Sequence, residues 1–269
     1  MSSVNGSLGA RTGAVVLRLW VLGVLLFLFA PIIVIAVYAF NESNVQAFPI
    51  HHFSTKWFSV AWHDPAAREA LWLSVRCGLL ATAIALVLGS LAAFGVHKFK
   101  FFGRETVSFL LILPLALPGI ITGVALNSAF AFAGLTLSLW TIVIGHATFC
   151  IVVVYNNVLA RLRQTQASLM EASMDLGAVP TQTFRFVTLP LLSTALVSGA
   201  LLAFALSFDE VVVTTFTAGA QNTLPLWVFG AIRLGQQLPE VNVVILAVLV
   251  VTIFPVLLST KLMSRGGLR

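Results

Sequence analysis

The sequence predicts an all-α integral membrane protein with six transmembrane helices, on three observations. Of its 269 residues, 59% are hydrophobic and only 9% are charged, with a mean hydropathy of +1.02. Soluble domains carry roughly 25% charged residues, which sets aside a water-soluble enzyme. Six apolar runs recur at lengths near or above the roughly 20 residues that a helical span requires. The basic residues stand at the ends of those runs, where they orient helices in a bilayer. Because the net charge of +6 is dispersed in this way, with no aromatic and basic residues interleaved in a polar groove, no nucleic-acid partner is expected.

Residues 1–14 read as a polar cytoplasmic tail, disordered or lying along the surface, and residues 15–269 as a single transmembrane domain. The first run, about Val15 to Phe40, lacks a small-residue cleavage site after it and reads as a retained helix. A polar loop of residues 41–68 follows, with His51, His52, His63 and Asp64. Its histidine spacing does not match a zinc set, and Trp57 and Trp62 suit the headgroup level. The second run, about Glu69 to Val96, carries Gly89, Ser90, Ala92, Ala93 and Gly95, small residues that let helices pack closely in lipid. His97, Lys98, Lys100 and Arg104 then make a basic turn.

The third run, about Thr106 to Phe132, contains Pro114, Pro118, Gly119 and Gly123. Backbone broken in this way is tolerated at membrane depth only where protein or a watery cavity receives the freed polar groups. The fourth, about Leu137 to Leu159, holds His146; the fifth, about Leu189 to Phe216, holds Asp209 and Glu210. A loop of about Thr217 to Glu240 leads to the sixth, about Val241 to Met263. Cys77 and Cys150 lie inside apolar runs, form no disulfide framework and read as small apolar side chains.

Six spans place both termini on one side. With that side cytoplasmic, Arg11, Arg18, Lys98, Lys100, Arg104, Arg161, Arg163, Arg185, Lys261, Arg265 and Arg269 fall in or beside inner segments, and only Lys56, Arg68, Arg76 and Arg233 remain outside. The imbalance supports this orientation, and it puts the link between the fourth and fifth runs in the cytoplasm.

That link, Glu171-Ala172-Ser173-Met174-Asp175-Leu176-Gly177-Ala178-Val179-Pro180 continuing to Leu189-Pro190, is the long polar island of the chain. Leu169, Ala172, Leu176 and Val179 recur at helical spacing, with Glu171 and Asp175 one turn apart on another face. Gly177 would admit a close neighbour and Pro180 favours a turn. The pattern predicts a short amphipathic helix ending near Val179 and lying on the membrane surface.

This stretch resembles the signature of the inner-membrane permeases of binding-protein-dependent ABC importers of the first structural type. Glu171-Ala172-Ser173 is followed six residues after the glutamate by Gly177, and nine intervening residues lead to Val187-Thr188-Leu189-Pro190. Ser173 stands where alanine is commonest, a small-for-small difference. The resemblance implies a type I permease fold with core helices over about residues 69–263 and a coupling segment over about 166–190. In such a segment Glu171, Ala172, Ser173, Asp175, Gly177, Leu189 and Pro190 would engage a separate ATPase, Glu171 as the acidic contact and Gly177 as the close-approach position. It further implies a cell inner-membrane location, a second homologous permease in a pseudo-two-fold heterodimer, two ATPase subunits and one periplasmic or lipid-anchored solute-binding protein. No catalytic residue, metal or cofactor is expected in this chain. It has no Gly-x-x-x-x-Gly-Lys-Ser/Thr loop, so ATP and Mg2+ would be used by the partner ATPase.

Ala205 to Phe216, Gln221 to Trp227 and Asn41-Glu42-Ser43 resemble the spermidine and putrescine branch, second-permease type, which implies a polyamine substrate. Counted from Leu189, Asp209 lies about 30 Å along the helix, near the outer mouth. There Asp209 and Glu210 either attract a polycation into low-dielectric walls or cap the helix end and pair with Arg233 or Arg76. Phe208, Phe204 and Trp227 are either cation–π contacts for alkylammonium groups or packing and lipid contacts, as suits a chain with 21 phenylalanines, and His146 is either a pathway residue or, the favoured reading, a helix contact. The alternatives are a permease for an oxyanion, a ferric ion or an amino-acid-like compound, a secondary transporter driven by an ion gradient, and a structural membrane adaptor. An oxyanion route favours basic groups where this chain has acids, a secondary transporter leaves the coupling signature unexplained, and an adaptor has no need of a proline-broken third span.

Overall fold

The computed structural model describes residues 4–235 and 237–266, with side-chain surroundings for 13–166, 168–235 and 237–252. Twelve α-helices are present among them: α1 Val4–Tyr38, α2 Lys56–His63, α3 Pro65–Lys98, α4 Arg104–Ala116, α5 Gly119–Phe132, α6 Leu139–Gln164, α7 Ala167–Asp175, α8 Pro180–Thr183, α9 Leu189–Asp209, α10 Val212–Thr217, α11 Leu224–Leu234 and α12 Leu238–Gly266. The only extended pairing among the described residues is one isolated bridge, Asn41 to Phe53.

Among the described residues, four helical stretches are long and apolar enough to cross a membrane: Gly13–Tyr38, Pro65–Lys98, Leu139–Gln164 and Pro180–Asp209. A fifth is obtained if α4 and α5, bent by 104°, count as one span. The bend falls where the third run's prolines predict it. Leu117, held extended by the ring of Pro118 behind it, ends α4, and Pro118 opens α5. The expected sixth run lies in α12, of which only Leu238–Thr252 is described in side-chain detail. Arg269 lies outside the described residues, as do the side chains of Arg11, Lys261 and Arg265.

Three expectations change. The tail expected over residues 1–14 is helical from Val4, because a helix nucleated in the apolar run extends backwards one hydrogen bond per residue. The polar loops at 41–68 and 217–240 contain the short helices α2 and α11. The fifth run is not continuous to Phe216: α9 stops at Asp209, Glu210 is extended (φ −73°, ψ 113°), and α10 restarts the chain.

By packing, the chain divides into two compact units, residues 65–229 and residues 1–64 with 230–269. In the first, α3, α6 and α9 form a three-helix core around Ala85, Ala93, Cys150, Val154, Tyr155, Leu192 and Ala203. Small residues set its spacing. A methyl on Gly89 would lie 2.8 Å from the Ile151 carbonyl oxygen, so α3 touches the backbone of α6 there. Both cysteines are buried free thiols. In the second unit, Ala39, Ala61 and Val243 form a small core joined by Trp57, Val244 and Leu246.

Candidate functional site

The link between α6 and α9 is a helical hairpin whose stop is chemical. Helix α7 ends in a Schellman motif: Gly177 N–H donates to Met174 O at 2.8 Å and Ala178 N–H to Ser173 O at 3.1 Å. Gly177 has φ +88°, the left-handed conformation that glycine adopts without cost. The sequence singled out this glycine as a place of close approach, yet no atom of this chain lies within 4 Å of a methyl built there. That φ by itself favours glycine, whatever a partner protein places beside it. The predicted stripe also breaks, since the helix closes before Leu176 and Val179 instead of after them.

Ser173 Oγ lies 3.1 Å from Thr183 Oγ1, fastening α7 to α8, and Val179 N–H donates to Gln182 Oε1 at 3.0 Å. A π-helical turn, Phe184–Thr188, joins α8 to α9, with Leu189 N–H donating to Phe184 O. Pro190, in the first turn of α9, has no N–H to give, which suits the widened turn before it. Arg161, used in the sequence only as a marker of orientation, donates from Nε to Leu191 O at 2.9 Å and ties the end of α6 to the start of α9. Glu171, Ala172, Asp175, Leu189 and Pro190 are exposed. So are Leu169, Met174, Val179 and, at 90%, Leu176, an apolar surface on a polar element.

At the other end of α9, Asp209 is exposed and Glu210 half-buried. Glu210 Oε1 accepts the Val213 N–H at 2.8 Å, capping α10, and its main-chain oxygen accepts Thr214 Oγ1 at 2.6 Å. Arg76 makes no ion pair with either acid among the described residues and instead lies 5.0 Å over the Trp72 ring. His146 is buried (1% exposed). Its Nδ1 is 2.7 Å from Ser207 Oγ and its Nε2 2.8 Å from Thr214 Oγ1, so both nitrogens are occupied and neither is available to a substrate. Phe208 stacks at 5.8 Å on Phe204, and Trp227 is half-buried on α11. The structure thus gathers Ser207, His146, Thr214 and Glu210 and leaves Asp209 at the edge.

The polar residues that hold α10 were not singled out in the sequence. Asn127 donates from Nδ2 to Phe216 O at 2.6 Å, and the single Thr141 Oγ1 hydrogen is shared between Thr217 O at 2.8 Å and Ser138 O at 2.7 Å. Both satisfy carbonyls at the end of a short helix. A polar side chain inside an apolar run was the available signal, but its partners are 89 and 76 residues away.

In the second unit, Asn41 organises the loop after α1, donating to Val45 O and accepting from the Ser43 N–H. Glu240, just ahead of the run beginning at Val241, is fully buried. It faces the carboxyl of Asp64, and two carboxyls hydrogen-bond only when one carries a proton. Burial first, then that hydrogen bond and the Asp64 charge, push the Glu240 carboxyl up to about 7. Among the described residues no three His, Cys, Asp or Glu side chains are grouped to hold a metal.

The chain is thus a helical membrane protein with a proline-broken span and a capped hairpin between two apolar helices, and comparison with known proteins gives its family. The chain belongs to the family of binding-protein-dependent transport system inner membrane components, which matches residues 85–265. It is accordingly an ABC-importer permease, a multi-pass membrane subunit and not a catalyst. It is 36% identical over 224 residues to the putrescine transport system permease protein PotI of Escherichia coli K12, covering 80% of this chain and 79% of that one. It is 32% identical to the spermidine/putrescine transport system permease protein PotC of Haemophilus influenzae, covering 90% and 93%. Among solved structures, a bacterial ABC transporter involved in the import of the acidic polysaccharide alginate matches with a TM-score of 0.68 at 18% identity, over 96% of this chain and 98% of that one. The MetNI methionine ABC transporter matches with a TM-score of 0.58 at 20% identity, over 76% and 95%. These two share the fold.

Proposed function

We propose that this chain is the second permease of an ATP-driven importer of putrescine or spermidine, crossing the cell inner membrane six times with both termini in the cytoplasm. The observation that carries the reading is the likeness at 32–36% identity, over most of both chains, to permeases named for putrescine and for spermidine/putrescine transport. A heterodimer with a homologous permease, two ATPases below and one solute-binding protein above completes the machine. In it α7, α8 and the residues around Gly177 form the coupling element. The exposed Glu171 gives a charged contact and the exposed Leu169, Met174, Leu176 and Val179 give an apolar one, which together suit a protein cleft better than water or lipid.

At the outer end, Asp209 is the acid left free to attract an ammonium group, while Glu210 spends one oxygen on capping α10. Phe208 and Trp227 supply aromatic faces whose attraction for a cation is worth about 0.5–2 kcal/mol, weak enough for substrate to leave as well as enter. Closure of the ATPases on ATP moves the paired coupling elements and opens the cavity outward. The test is uptake of labelled putrescine and spermidine by cells whose importer carries Asp209→Asn, with membrane abundance measured. A fall in uptake at normal abundance is expected; unchanged uptake removes Asp209 from the pathway.

A further inference from the structure

We infer that His146 is a positioning residue for the substrate-attracting acid at the α9–α10 break, held in one tautomer by a hydrogen-bond chain that runs in a single direction. This rests on the reading of Asp209 above. The direction follows from the one group in the chain that can only accept. Thr214 Oγ1 lies 2.6 Å from the main-chain oxygen of Glu210, so its single hydrogen points there. The Thr214 oxygen can then only accept from the imidazole, which puts the ring proton on Nε2, 2.8 Å away. Nδ1 is left bare and receives the Ser207 hydroxyl at 2.7 Å. The order is Ser207 to His146 to Thr214 to the Glu210 carbonyl, every donor matched to one acceptor.

This chain spans the break. Ser207 lies two residues before Asp209 on α9, Thr214 lies on α10, and the last acceptor is the extended residue between the two helices. The same face of α6 seats α10 directly: a methyl on Gly145 would lie 3.2 Å from Val213 and 3.4 Å from Thr217, and Thr141 holds the Thr217 carbonyl. His146 therefore fixes where α9 stops and how α10 departs, and with them the place of the exposed Asp209. A buried apolar residue would fill the space but leave the Ser207 hydroxyl without its acceptor and the Thr214 oxygen without the imidazole donor in a dry site, free to pull the break into another geometry.

Two measurements on the complete transporter in lipid nanodiscs test it. Nitrogen NMR of ring-labelled histidine, with the His146 signals assigned by their loss in His146→Gln, should show Nε2 protonated and Nδ1 bare; the opposite tautomer or a doubly protonated ring overturns the chain. Uptake kinetics should show KM for putrescine raised about tenfold or more by His146→Phe, as the loss of its two hydrogen bonds to Ser207 and Thr214 implies, with maximal rate nearly kept. His146→Gln, which retains an N–H toward Thr214, should restore most of it. In Asp209→Asn the further change His146→Phe should alter KM less than about twofold, because coupled residues are non-additive. Full multiplication of the two effects, or a KM unmoved by His146→Phe while Asp209→Asn raises it, overturns the inference and leaves the substrate reading intact. Unchanged uptake in Asp209→Asn alone removes the substrate reading, and with it the acid that His146 is said to place.

Discussion

Replacing Gly89 by alanine tests the packing that sets the spacing of the α3–α6–α9 core. The added methyl would stand 2.8 Å from the Ile151 carbonyl oxygen, 3.0 Å from Val154 Cβ and 3.1 Å from the Tyr155 nitrogen. Comfortable carbon contacts begin at about 3.5 Å, and two of these neighbours are backbone, so a side chain cannot swing aside. Overpacking of this kind costs about 1–3 kcal/mol, against which alanine returns roughly 0.8–1.0 kcal/mol in helix propensity. Gly95, six residues on in the same helix, has no atom within 4 Å of its own built methyl, so Gly95→Ala collects the propensity term alone. The difference between the two variants is therefore the packing term. Thermal unfolding of the purified transporter in nanodiscs should place Gly89→Ala several degrees below Gly95→Ala, the latter at or above the parent. Equal melting temperatures for the two variants would refute the close approach of α3 to α6.

Four further outcomes follow from the same contacts. Glu240 holds its proton to about pH 7 in the folded chain and releases it near the ordinary carboxylate range when unfolded, so the stability it contributes should be full below the unfolded range and decline as pH rises toward and through about 7. Glu240→Gln should flatten that decline in melting curves taken across the window, and an unchanged slope would show the carboxyl to be ionised already. At Gly177 (φ +88°), asparagine should be tolerated better than alanine and alanine better than valine, read as ATP-dependent uptake at equal abundance. Asn127→Leu strips the half-buried Phe216 carbonyl of its donor and should cost about 1 kcal/mol, seen as a lowered melting temperature. Glu210→Gln keeps an oxygen for the Val213 N–H and should transport nearly as the parent, whereas Glu210→Ala should not.

The fold was legible where it depends on local chemistry. Hydropathy marked the four spans found among the described residues, and Pro114 and Pro118 marked the bent one, whereas the short helix of the link ends at Asp175 and not near Val179 as its stripe suggested. The helical break at Glu210 was not legible, because nothing in Asp209-Glu210-Val211 forbids helix. It is stabilised by a glutamate cap and by Asn127, Thr141 and His146, which arrive from other helices. His146 was read as a helix contact or a pathway residue, because a polar residue in an apolar run signals either, and its partners Ser207 and Thr214 stand 61 and 68 residues away, out of reach of the sequence. Glu240 was taken for the end of a loop for the same reason, since its burial against Asp64 joins segments far apart in sequence.

The most direct measurement is reconstitution of this permease with its cognate partner permease, ATPase and solute-binding protein in proteoliposomes, followed by accumulation of labelled putrescine and spermidine. Accumulation that requires ATP, and that is lost when Glu171 is replaced by lysine although the complex still assembles, is the predicted result. Accumulation of an anionic solute instead of a polyamine, or polyamine uptake that continues without the ATPase, would contradict it.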